Sequence, residues 1–160
     1  MLASYGFVTL ALAFYGVDDL PLVFSSYELS YFESAVDFLL SHPHVTDRNK
    51  VGLFGSSMGG SIVLAMMSCL GQKVGCSVVS GSQFICSPGP CYYRGDLVVA
   101  PTEWNLHHDW DNPFQFRQGL EEVLRSQNQL IPFHRSEAPL LILSGLEDGC
   151  AKGEICLQDS

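Results

Sequence analysis

The chain has 160 residues, 47% of them apolar and 16% charged, which argues against a disordered segment and allows one domain with a core of its own. Its net charge is −9 with no basic run, so nucleic acid is not expected as a partner, because neutralising phosphates takes clustered Lys and Arg. The apolar start is too short to cross a bilayer, which takes about 20 residues. The first basic residue is Arg48, so a signal peptide would lack its charged leading region, and a buried strand is the preferred reading.

Taken in chain order, Phe7 to Phe14 (FVTLALAF) is a continuous apolar run between Gly6 and Gly16, which predicts a strand buried on both faces. Gly16 to Ser26 reads as a loop. Glu28 to Ser41 predicts a helix with Leu29, Phe32, Val36, Leu39 and Leu40 as its apolar stripe. Glu28, Glu33 and Asp37 lie off that stripe, and Pro43 ends the helix. Val51 to Phe54 predicts a short strand, and Gly59 to Leu70 a helix buried on most sides and stopped by Gly71. Cys76 to Ser80 predicts another strand. Gln83 to Pro113 shows no clear period, Gln115 to Gln127 suggests a helix, and Leu140 to Leu143 a buried strand. Short apolar strands alternating with helices predict an α/β fold, with a mostly parallel sheet of about four strands flanked by helices.

Chemistry concentrates at Lys50 to Gly60, KVGLFGSSMGG. A strand, then Gly55-Ser56-Ser57-Met58-Gly59, then a helix is the context of a nucleophile elbow, G-x-S-x-G. A serine held in a strained turn stands clear of the sheet, and residues two before and two after it pass close to that turn. Glycine at 55 and 59 would remove the clash. The helix N-terminus favours developing negative charge, with the Met58 N–H as one oxyanion donor. The competing reading is a glycine-rich turn whose serine caps the helix.

A nucleophilic serine takes a base and an orienting carboxylate, in the chain order serine, acid, histidine for this fold. Asp148 lies four residues past Ser144, the apparent end of the last strand, with Glu147 as a competitor and a solvated turn carboxylate as the plain alternative. The five histidines, His42, His44, His107, His108 and His134, all precede it. The six cysteines read as free thiols of a reducing compartment. Cys86, Cys91, Cys150 and Cys156 have spacings loose for a zinc site, and His107, His108, Asp109 and Asp111 are a weak metal set, so no metal or cofactor is expected.

With those residues in hand, the chain resembles the hydrolase domain of the acyl-CoA thioesterase and bile acid-CoA:amino acid N-acyltransferase family. The likeness is carried by Tyr5-Gly6-Phe7 to Tyr15, Asp19-Leu20-Pro21, and Tyr31-Phe32-Glu33 through His42-Pro43. It continues in Val51 to Gly55 with Ser57 and Gly59, and in Ala138-Pro139-Leu140 through Asp148. The resemblance implies a partial α/β-hydrolase fold acting on acyl-CoA, with Ser57 as nucleophile and Asp148 as the acid. It also implies that serine rather than cysteine at position 57 favours thioester hydrolysis over acyl transfer to an amino acid. An oxygen-ester hydrolase of the same fold and a non-catalytic binding fragment are the alternatives. Residues 1–148 read as an incomplete hydrolase domain and 149–160 as a divergent tail. The family's histidine would follow the acid, and its first sheet strands and second oxyanion loop would precede Phe7, so weak or absent activity of the chain alone is expected. The compartment is expected to be intracellular, cytosolic by default, with peroxisome or mitochondrion open for the family. The sequence leaves the oligomeric state open.

Overall fold

A computed structural model describes residues 2–86, 89–101 and 130–145. Its heart is a parallel sheet of three strands, β2 (Val51–Ser56), β3 (Val74–Ser80) and β6 (Leu140–Leu143), in the order β2-β3-β6. The register is continuous across the sheet: Phe54 pairs with Val78 and Val78 with Leu141, while Ser56 pairs with Ser80 and Ser80 with Leu143. The carboxyl ends of all three strands therefore finish together.

Helix α2 (Met58–Leu70) packs on β2 and β3. Nine of its residues are buried, Leu64 and Met67 almost completely, as expected for a helix apolar on most sides. Gly71 ends it at φ 43°, a conformation open to glycine. Helix α1 (Leu29–Ser41) packs against α2, buries Leu29, Phe32 and Val36, and stops at His42, which is extended ahead of Pro43 as the proline ring requires.

A second, smaller sheet has the order β1-β4-β5, from β1 (Tyr27–Glu28), β4 (Cys91–Tyr93) and β5 (Asp96–Val99). Its first pair is parallel and its second an antiparallel hairpin. Arg94 and Gly95 turn the hairpin, both at positive φ (54° and 89°), the hand that matches strand twist in a two-residue loop. This hairpin lies inside the stretch that shows no period in the sequence.

Three expectations are corrected. Leu140 to Leu143 forms the predicted strand but is largely exposed rather than buried, Leu141 at 55% and Leu143 at 47%, because its outer face carries no helix among the described residues. Phe7 to Phe14 joins no sheet. The edge of β2 away from β3 has no neighbour among the described residues, and an apolar run forms a strand only where a ladder receives it. Leu12 and Phe14 still pack on the core, Phe14 with its ring 5.1 Å from that of Phe24, but Phe7 is 63% exposed. Glu33, placed off the helix stripe, is buried. It accepts hydrogen bonds from Lys73 Nζ at 2.9 Å, Arg94 at 3.1 Å and the Tyr93 hydroxyl at 3.2 Å. The predicted helix Gln115 to Gln127 lies outside the described residues.

Candidate active site

Ser57 stands at the junction of β2 and α2, exposed, with φ 51° and ψ −125°. That is a sparsely populated region for a residue with a side chain and stores on the order of 1–3 kcal/mol. The Ser57 hydroxyl makes no capping hydrogen bond to α2, which removes the helix-capping alternative. The backbone carries the turn instead. Ser57 N–H donates to the Ser80 carbonyl at 3.0 Å, and the Ser57 carbonyl accepts from the N–H groups of Gly60 (2.9 Å) and Ser61 (3.3 Å).

The crowding around this turn is one-sided. A Cβ on Gly55 would overlap the Gly59 carbonyl and come within 2.7 Å of the Gly60 nitrogen. A Cβ on Gly59 would meet nothing within 4 Å, so the steric reason expected for that glycine does not hold. The second crowded position is Gly60, whose Cβ would lie 2.5 Å from Cβ of Ser82. Sequence spacing missed it, although the doubled glycine after Met58 was visible.

Met58 opens α2, in the turn where amides have no partner within the helix. Asp148 and its competitor Glu147 lie outside the described residues, as do His107, His108, Cys150 and Cys156. The strand that leads to Asp148 is described. Leu143, at the end of β6, stands in line with Ser80 and Ser56, and its carbonyl accepts from Gly81 N–H at 2.9 Å. The chain thus leaves β6 at the same end of the sheet as Ser57. Of the described histidines, His42 and His44 follow α1 and His134 is exposed in a short 3-10 turn, Phe133–Arg135.

Among the described residues no three His, Cys, Asp or Glu side chains gather as a metal site. Cys86 and Cys91 are both fully buried as free thiols. A hydrogen bond with Cys91 and burial push the Cys86 thiol up from its ordinary value. No described helix is long and apolar enough to cross a membrane.

Comparison with known proteins shows the family. The family profile described as "BAAT / Acyl-CoA thioester hydrolase C terminal" matches residues 27–160. The mouse peroxisomal succinyl-coenzyme A thioesterase is 30% identical over 99% of this chain and 38% of its own length. The rat mitochondrial acyl-coenzyme A thioesterase 2 is 32% identical over 100% of this chain and 35% of its own. The mouse acyl-coenzyme A amino acid N-acyltransferase 2 is 34% identical over 99% of this chain and 38% of its own. The chain thus spans well under half the length of these relatives.

Proposed function

Because the chain belongs to the BAAT / acyl-CoA thioester hydrolase C-terminal family, we propose that it carries the nucleophile of an acyl-CoA thioester hydrolase, with Ser57 in that role. The observation that carries this reading is the exposed Ser57 side chain on a strained strand-to-helix turn, with no capping bond to explain it.

In the proposed reaction a base takes the Ser57 Oγ proton and the oxygen attacks the thioester carbonyl carbon. The tetrahedral oxyanion lies against the Met58 N–H and the N-terminus of α2. The C–S bond breaks, and coenzyme A leaves as its thiol, taking the proton from the base. Water repeats the sequence on the acyl ester, releasing a carboxylic acid and restoring Ser57. Asp148 is read as the carboxylate that orients the base. Its position four residues beyond Ser144, past a strand that ends in register with Ser56, supports that reading.

A histidine is the expected base, and the five in this sequence stand ahead of Asp148. We read the chain's substrate class as acyl-CoA inside the cell. The names of relatives include a peroxisomal and a mitochondrial enzyme.

Treatment with a fluorophosphonate followed by peptide mass mapping tests the assignment. Covalent label on Ser57, absent from Ser57→Ala, is the expected result, and label elsewhere or unchanged in the variant overturns it. One relative is named as an amino acid N-acyltransferase. Incubating acyl-CoA and glycine with the protein decides between the two acceptors: free acid is expected, and an N-acyl glycine as main product would reverse the choice.

A further inference from the structure

The segment Ser80–Gln83, which follows β3, touches the nucleophile turn at three successive points. Ser80 accepts the Ser57 N–H at 3.0 Å. Ser82 fills the space that the missing Cβ of Gly60 leaves, its Oγ 2.6 Å from where that atom would be. The Gln83 carbonyl accepts from the Ser61 hydroxyl at 2.8 Å. Ser61 and Ser82 are both buried, at 3% and 7% exposure. Between them Gly81, at φ 53°, donates its N–H to the Leu143 carbonyl at 2.9 Å. One short segment thus grips the first turn of α2 on one side and the end of β6 on the other.

Burying the Ser61 hydroxyl is unfavourable unless it is hydrogen-bonded, and the Gln83 carbonyl meets that demand outside the helix. A buried serine within an α-helix commonly bonds back to its own helix. Here the bond instead ties the first turn of α2 to the segment that follows β3. Helix rotation sets where the Ser57 hydroxyl and the Met58 N–H point, and small misplacements of reacting groups lower rates steeply.

We propose that Ser61 is a positioning residue for the nucleophile, acting through its bond to Gln83 on a clamp formed by Ser80–Gln83. The proposal rests on the reading of Ser57 as the nucleophile, and its test separates the two. Full-length Ser61→Ala and Ser61→Thr chains are compared with the unaltered chain for the rate of fluorophosphonate labelling, the urea midpoint, and amide exchange at Gly60 and Ser61. Ser61→Ala is expected to slow labelling about tenfold or more and to speed exchange at those two amides relative to α1, while Ser61→Thr, which keeps the hydroxyl, restores both to within about twofold. Equal labelling and exchange in Ser61→Ala would overturn the clamp. So would a loss in Ser61→Ala that merely follows a general drop in stability and is shared by Ser61→Thr. If the unaltered chain takes no label, the nucleophile reading fails. The clamp is then judged on exchange alone: selective loss of protection in Ser61→Ala supports it, and unchanged protection sinks it.

Discussion

Ser57 hangs from its neighbouring strand by one bond, its backbone N–H donating to the Ser80 carbonyl at 3.0 Å. That bond holds the residue at φ 51° while the side chain stays out of the helix cap. Backbone strain of this kind clusters at active sites, which fits the nucleophile role proposed for Ser57.

The strain has a measurable size. Glycine relieves a conformation that stores about 1–3 kcal/mol, against about 0.5–1 kcal/mol for the added freedom of the unfolded chain. Ser57→Gly is therefore expected to raise the urea unfolding free energy by about 1 kcal/mol while ending fluorophosphonate labelling. A fall in stability would mean that the turn is relaxed as it stands.

The two glycines of the motif are expected to respond oppositely. Gly55→Ala drives a methyl group into the Gly59 carbonyl and the Gly60 nitrogen, so backbone must shift, and a loss of about 3 kcal/mol or more is expected. Gly59→Ala meets open space in the first turn of α2, where alanine is the better helix former, and is expected to gain up to about 1 kcal/mol. Thermal unfolding of the two variants side by side checks this, and equal losses would refute the one-sided crowding.

Glu33 makes stability depend on acidity. Its hydrogen bond from Lys73 first, then those from Arg94 and Tyr93, hold its carboxyl below the ordinary value of 4.5 against the opposing effect of burial. A carboxylate with a depressed folded-state pKa stabilises fully above its unfolded value, and that contribution disappears as pH falls through the folded value. Urea unfolding from neutral pH down through the range below about pH 5 is expected to show a steeper loss for the unaltered chain than for Glu33→Gln. Parallel curves would show that the Lys73 and Arg94 contacts do not couple to the protonation of Glu33.

The thiols should sort by exposure. Cys76 is exposed on β3, whereas Cys86 and Cys91 are fully buried. A thiol reagent at neutral pH is expected to modify Cys76 in the folded chain and to reach Cys86 and Cys91 only on unfolding, when the Cys86 thiol also loses the contact that keeps it protonated. Rapid modification of Cys86 in the native chain would contradict that packing.

Much of this was legible in the residues themselves. The helices α1 and α2 and the strands β2, β3 and β6 announce themselves by period, by glycine and proline stops and by short apolar runs, because each is a local signal. Glu33 was misread although it lies four residues after Leu29 and three before Val36, on the same face. Its charge pointed to solvent, and the partners that permit burial, Lys73 and Arg94, are distant in sequence. The hairpin around Arg94-Gly95 was missed because arginine is an uncommon residue at positive φ, while Tyr92-Tyr93 and Leu97-Val98-Val99 carry a strand signal too short to stand out. The run from Phe7 to Phe14 shows the reverse failure: composition registers an appetite for burial but not whether a neighbouring strand exists to satisfy it. The strand-to-helix turn at Ser57 was readable because its motif is local, and the Ser80–Gln83 contacts were not, since they join segments that meet only in three dimensions.

One face of the parallel sheet carries α2, while the other holds Phe54, Val78 and Leu141 abreast, with Phe54 66% and Leu141 55% exposed. Exposed hydrocarbon aligned across three neighbouring strands governs colloidal behaviour before it governs folding. Environment-sensitive dyes such as ANS should brighten on the native chain, and sulfate should drive the molecules into clusters at concentrations that leave helix content untouched. Replacing Phe54 and Leu141 with threonine would then quieten the dye and raise the clustering threshold together, marking that row as the sticky side of the molecule.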